Sequence, residues 1–126
     1  MTDPRHALGL AAEEAVAAWL SRTGWTVLVR RSRSKAGGEV DLIALDPGGT
    51  IVAVEVRARR SARAGAAAWS VDQRRIRRLQ LTLVEYAVTS TIGYRGLRVD
   101  LVTVEPNGSA SPGRWLLTRL QDIGAR

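Results

Sequence analysis

Glu39, Asp41, Glu55 and Arg57 stand at the outer ends of two short apolar runs, residues 40–45 and 51–56. Between the runs lies Asp46-Pro47-Gly48-Gly49-Thr50, a turn signal that predicts a β-hairpin. A hairpin centred on Gly48 sets Asp41 opposite Glu55 and Glu39 opposite Arg57. Opposed residues share a face of the sheet, as do residues two apart. The four ionisable residues therefore form a quartet at the open end of one face, continued by Ile43, Leu45, Ile51 and Ala53. The other face, Val40, Leu42, Ala44, Val52, Val54 and Val56, is wholly apolar. The acids are thus expected at the rim of a sheet covered on both sides.

Two carboxylates placed opposite one another destabilise a sheet unless something neutralises them. Three negative charges and one positive leave a surplus of two, which suits one Mg²⁺ or Mn²⁺ held by few carboxylates and several waters. The competing arrangement is a Glu39–Arg57 bridge, with Arg59 or Arg60 neutralising the remaining acids. A bulge in either strand would break the register on which both depend.

The distribution of cations points to a polyanionic partner. The chain carries 19 Lys+Arg against 12 Asp+Glu, a net charge of +7 at pH 7. Residues 30–78 hold twelve of the cations and five of the acids, so the whole excess lies in one segment and the remainder is neutral. Such a concentration fits a surface that meets nucleic acid. A solvated basic face in an arginine-biased chain, whose only lysine is Lys35, is the plainer alternative.

Several classes are excluded. At 126 residues, 45% apolar and 25% charged, the chain has the composition of one globular domain spanning 1–126, not of a disordered segment. Without cysteine it has no disulfide framework, thiol nucleophile or zinc ribbon, and a single histidine, His6, rules out multi-histidine metal sites. Glu13 and Glu14 interrupt the N-terminal apolar stretch, which spoils it as a signal-peptide core. No other segment is long enough for a bilayer span, so a cytoplasmic protein with no membrane partner is expected.

The elements that must position the quartet can be read in order. Asp3-Pro4 predicts a helix start, with Leu8, Ala12, Ala15, Val16, Trp19 and Leu20 as its apolar stripe and Gly24 as its end. Residues 25–29 form a first strand and 30–38 a basic link into the hairpin. Residues 57–69 read as a mobile basic loop that contains Arg59 and Arg60. Ser70 and Gln73 predict a capping box for a helix running to Val88, with Ile76, Leu79, Leu83 and Ala87 inward. A fourth strand spans 97–104, a loop 106–113, and residues 115–123 form a last element of open type. The order helix-strand-strand-strand-helix-strand, with a helical crossover before the fourth strand, predicts an α/β fold built on a mixed sheet. Arg74, Arg75, Arg77 and Arg78 crowd the first turns of the second helix, opposite its apolar stripe, where they oppose the helix dipole. Helix stability does not explain them, whereas phosphate contact does. The four tryptophans read as packing residues rather than base-stacking platforms.

Gly38-Glu39-Val40-Asp41-Leu42-Ile43-Ala44 followed by Val54-Glu55-Val56-Arg57 resembles the PD-(D/E)xK nuclease superfamily, with its restriction-endonuclease-like mixed sheet. The whole chain is similar to the YraN family of small bacterial proteins, related to archaeal Holliday-junction resolvases. Gly9 and Glu13 fit that family's first-helix motif, residues 71–79 its basic second helix, and Arg98-Val99-Asp100 its fourth strand.

The resemblance implies that Asp41 and Glu55 are ligands of a divalent cation, with the Val56 carbonyl a further oxygen. It implies that Glu13 approaches from the first helix as an additional carboxylate; periodicity alone does not separate Glu13 from Glu14. One departure is Arg57 where the superfamily usually has lysine, and another is Arg75 where the family helix usually has lysine. Arginine stays protonated and cannot act as a base, yet it clamps phosphate oxygens and offsets transition-state charge. The resulting expectation is a Mg²⁺-dependent endonuclease acting on DNA or structured nucleic acid. Asp41, Glu55, Arg57 and Glu13 would be its catalytic residues and Glu39 would support them. Arg59, Arg60, Arg74, Arg75, Arg77 and Arg78 would lie along the nucleic acid. A symmetric junction as substrate would favour a homodimer. The alternatives are a nucleic-acid-binding protein of the same fold with little or no cleavage, and a scaffold for an acidic protein partner.

Overall fold

A computed structural model describes residues 4–35, 38–59, 71–106 and 115–124. The chain runs α1 (Pro4–Arg22), β1 (Thr26–Arg33), β2 (Glu39–Leu45), β3 (Thr50–Ala58), α2 (Gln73–Thr89), β4 (Gly96–Pro106) and β5 (Trp115–Leu120). The strands form one sheet in the order β1-β2-β3-β4-β5. β3 and β4 are parallel and the other neighbours antiparallel, so α2 is the crossover. This is the mixed α/β arrangement expected of a restriction-endonuclease-like fold. The open-ended last element proves to be a strand: residues 115–120 pair with β4 from Leu101↔Leu120 to Pro106↔Trp115.

The two faces of the sheet bury different helices. Ala12, Val16, Ala17 and Leu20 of α1 pack on Leu42, Ala44, Val52, Val54, Val102 and Val104. Four of these six strand positions, Leu42, Ala44, Val52 and Val54, are on the hairpin's expected apolar face, and the small alanines let the helix lie close. α1 stops where Gly24 takes φ +90° and the Trp25 N–H returns to the Leu20 carbonyl at 3.0 Å. On the other face, Leu79 and Leu83 of α2 cover Val40, Ile43, Ile51, Ala53 and Val99. Trp19, Trp25 and Trp115 pack partly buried around the α1 cluster, as packing residues do.

Three local expectations are corrected. The Arg30–Arg33 segment is not a link but the continuation of β1, paired from Arg30↔Leu42 to Arg33↔Glu39. The cap of α2 is Asp72, whose Oδ1 accepts the Arg75 N–H at 2.8 Å, and Gln73 is the first helical residue. A carboxylate three residues before Arg75 satisfies the orphan donor that was assigned to the capping box. The third correction lies in the hairpin. Its register is as expected from Leu45↔Ile51 to Leu42↔Val54, held at the turn by Asp46 Oδ1, which accepts the Gly48 and Thr50 N–H groups at 2.9 Å each. Beyond Leu42 strict alternation fails: Val40 joins Ile43 under α2, although residues three apart belong on opposite faces. Asp41 sits within that break. Asp3, Arg60, Ser70 and the expected loops over 60–69 and 107–113 lie outside the described residues.

Candidate functional site

The break in β2 aims Asp41 at β3. Its Oδ2 accepts the Val56 N–H at 2.8 Å, and its carboxyl stands beside that of Glu55. Burial pushes the Asp41 carboxyl up to about 7; the Val56 hydrogen bond opposes this, and the neighbouring charges of Glu55 and Glu13 reinforce it. The sequence-predicted juxtaposition of Asp41 and Glu55 is therefore present, with a side chain rather than a ladder bond closing the strand end.

Glu55 is itself buried, its side chain 4% exposed. Arg75 holds it from α2 with Nε 2.9 Å from Oε2 and Nη2 3.0 Å from Oε1, while Nη2 also donates to the Glu39 carbonyl at 3.1 Å. Hydrogen bonding to Glu55 shifts Arg75 further toward its charged form, against the cost of its desolvation. Arg57 reaches the same Oε2 at 3.5 Å.

Arg75 was expected to lie away from the α2 core with Arg74, Arg77 and Arg78, and it does not. Helical spacing explains the difference. Leu79 and the buried Thr82 lie four and seven residues on, along the same side of the helix, so Arg75 borders the packed face while the other three arginines are exposed.

Glu39 also departs from expectation. Its carboxylate pairs with Arg33 of β1 at 2.9 Å, not with Arg57, because β1 runs on to lie opposite it. The structure separates the two glutamates that periodicity left open. Glu13 is 19% exposed, faces the acid pair and is held by Arg31 at 3.3 Å, whereas Glu14 is 70% exposed and bridged to Arg30 at 2.7 Å. The quartet's expected surplus of two negative charges is met by two further cations, Arg75 on Glu55 and Arg33 on Glu39. Among the described residues no three His, Asp or Glu side chains converge as a metal cage. The possible donors are Asp41 and Glu55, oxygen ligands of the kind that a hard dication keeping most of its waters would take.

Two clefts flank the pair. One, of about 350 Å³, is lined by His6, Gly9, Leu10, Glu13, Arg31, Arg33 and Glu39. The other, of about 500 Å³, is lined by Arg57, Asp72, Arg74, Arg75 and Arg78. The single acid in the second cleft is spent on capping α2, and among the described residues no carboxylate pairs with Arg74 or Arg78. That cleft therefore presents a strongly positive surface to an anion. Arg59 is differently placed: it bridges to Glu105 of β4 at 2.9 Å and ties the end of β3 to its neighbour.

Arg98 and Asp100, matched by the resemblance only as part of a fourth-strand motif, anchor the opposite end of the sheet. Asp100, fully buried, accepts from Arg98 at 2.8 and 3.2 Å, from Arg119 at 3.0 Å and from the Asp122 N–H at 2.9 Å. Arg98 continues to Asp46 of the hairpin turn at 3.1 Å, and both guanidinium groups lie over the Trp25 ring. The i, i+2 spacing of Arg98 and Asp100 on a strand was the available signal. This network joins the hairpin turn, β4 and β5, so it fixes the frame that carries the acid pair.

No described helix is long and apolar enough to cross a membrane. The model of a family described as "Uncharacterised protein family UPF0102" matches residues 12–104, which run from the middle of α1 through β4. A UPF0102 protein of Deinococcus radiodurans is 39% identical over 115 residues, 90% of each chain. UPF0102 proteins of Neisseria gonorrhoeae and Methylococcus capsulatus are 35% and 34% identical, covering 88% and 93% of this chain and 92% and 93% of their own. The matched span includes Glu13, both acidic strands and the basic helix, and the likeness extends over nearly the whole chain. It belongs to the UPF0102 (YraN) family.

Proposed function

We propose that the protein is a metal-dependent phosphodiesterase acting on nucleic acid, DNA in the first instance. One observation carries this reading: two adjoining carboxylates, Asp41 and Glu55, lie behind a cleft lined by four arginines, two of which contact Glu55. Arg57, Arg74 and Arg78 would bind and orient backbone phosphates. Arg57, closest of these to Glu55, would offset charge developing on the reacting phosphoryl group. Asp41 and Glu55 would hold Mg²⁺ or Mn²⁺, the cation taking the place of the Asp41 proton. A dication there supplies electrophilic polarisation of the phosphodiester. Glu13, held by Arg31, would approach from α1 as an additional carboxylate on the other side of the pair.

A panel of single-stranded, nicked, duplex and branched DNA, incubated with Mg²⁺ and with Mn²⁺, tests the reading. Cleavage that disappears in EDTA and in Asp41→Ala supports it. A second reading is binding with little or no cleavage, favoured by Arg57 at the position where lysine serves the superfamily. Under that reading DNA stays intact, yet affinity falls steeply with salt, and Arg74→Ala with Arg78→Ala reduces the slope of log affinity against log salt by about 2.

A further inference from the structure

We propose that Arg75 is a latch: it occludes Glu55 until a phosphate in the arginine cleft draws it away, so the acid pair becomes open to a cation only when nucleic acid is bound. This deepens the reading above and rests on it for the identity of the anion. The geometry is that of one guanidinium with two possible positions. Towards the sheet it takes both oxygens of Glu55, at 2.9 and 3.0 Å, and the Glu39 carbonyl at 3.1 Å. Towards solvent its side chain is 30% exposed and lines the same cleft as Arg57, Arg74 and Arg78.

The two positions compete for the same donors. While Arg75 donates to both Glu55 oxygens, its positive charge stands where a dication would sit and repels it. A phosphodiester seated on Arg57, Arg74 and Arg78 offers an alternative pair of acceptors in the planar geometry that a guanidinium matches. Once Arg75 turns to the phosphate, Glu55 is left buried with only the more distant Arg57, itself drawn to the phosphate, to offset its charge. Such a state is unfavourable alone and strongly favours binding of a dication. Phosphate and cation would therefore bind with positive coupling, and each must raise the affinity of the other by the same factor. Arg75 acts through Glu55 and is a positioning residue. Its consequence is that metal bound without substrate, and hence unproductive, is rare.

The test measures Mn²⁺ affinity of the full chain by electron paramagnetic resonance, and DNA affinity by fluorescence anisotropy with and without Ca²⁺ at constant ionic strength. Arg75→Gln should bind Mn²⁺ without DNA at least about tenfold more tightly than the parent chain. Arg57→Gln, which removes the same charge beside Glu55 but leaves the bidentate clamp, should gain no more than about twofold. Ca²⁺ should tighten DNA binding by the parent about tenfold and by Arg75→Gln much less, because the variant has no latch to release. If Arg75→Gln melts below the assay temperature, Arg75→Lys replaces it; one ammonium cannot hold both oxygens in the same fork, and Mn²⁺ affinity should again rise. Equal Mn²⁺ affinity in parent and variant, an equal gain in Arg57→Gln, or undiminished Ca²⁺ coupling would each overturn the latch. Failure of the enzymatic reading looks different: the couplings hold while no DNA in the panel is cut. Metal-dependent cleavage with no gain in Arg75→Gln would instead leave a nuclease without a latch.

Discussion

Arg75 and Glu55, on α2 and β3, form a two-pronged ion pair in which the buried carboxylate has both oxygens occupied. Removing the arginine leaves Glu55 with Arg57 alone, at 3.5 Å. Breaking one side of a buried pair costs about 3–5 kcal/mol, and the partial exposure of Arg75 lowers the expectation to about 2 kcal/mol for Arg75→Ala. Adding Glu55→Gln should recover most of that loss, since no charge is then stranded. Urea unfolding of the two single variants and the double variant measures the coupling. Additive losses would mean that the pair contributes no interaction of its own.

Asp41 makes stability depend on pH in a direction unusual for a carboxylate. Its pKa is raised from 3.8 to about 7, so between those values the native state holds a proton that the unfolded chain releases. Stability from this group is therefore greatest at acid pH and is lost as pH rises through about 7. Asn mimics the protonated side chain: its oxygen accepts the Val56 N–H and its amide can donate to Glu55. Asp41→Asn should stabilise the chain by about 2 kcal/mol at about pH 8 and by close to nothing at about pH 4. Thermal melts across that range check it, and a gain independent of pH would mean that Asp41 is not the titrating group.

Arg57 stands where a smaller cation serves the superfamily. Lysine would approach the reacting phosphate more closely, and its pKa can shift on burial whereas arginine remains charged. Arg57→Lys should leave the melting temperature within about 2 °C and increase the cleavage rate several-fold. Equal or slower turnover in the folded variant would show that the arginine is adapted to this site or that there is no catalytic site.

The frame was legible because its signals are local and strong. Alternating apolar residues around Asp46-Pro47-Gly48-Gly49-Thr50 set the hairpin register from Leu45 to Leu42, and the Ile76–Leu79–Leu83 spacing set the buried side of α2. What the sequence hid depends on events outside each element. Val40 changes face through packing under α2, and no local pattern announces it. Glu39 turns to Arg33 because β1 continues past the point where its apolar residues end; a strand rich in arginine reads as a link when only hydrophobicity is followed. The special place of Arg75 was within reach, since it precedes Leu79 by four positions, but a cluster of four arginines was read as one surface. The type of β5 depended on a partner strand, because six residues carry too short a pattern to decide.

The two acids should differ in their effect on DNA binding without metal, and the difference follows from their partners. Glu55 neutralises Arg75, so Glu55→Ala releases a whole guanidinium into a cleft that already holds Arg57, Arg74 and Arg78. That variant gains a phosphate contact, and in EDTA the slope of log affinity against log salt should steepen by about 1. Asp41 carries only a fractional charge at neutral pH, and its Oδ2 accepts a backbone N–H, that of Val56, where Glu55 takes a guanidinium. Asp41→Ala should therefore tighten binding slightly, more at about pH 8 than at about pH 6, and leave the salt slope unaltered. Neither variant should cut DNA or respond to Ca²⁺ as the parent does. Stability should separate them too, since Glu55→Ala strands a partly buried arginine while Asp41→Ala removes a desolvated acid. Identical salt slopes for the two variants would mean that the arginine freed from Glu55 never reaches the phosphate, and the cleft would then bind nucleic acid without help from α2's third residue.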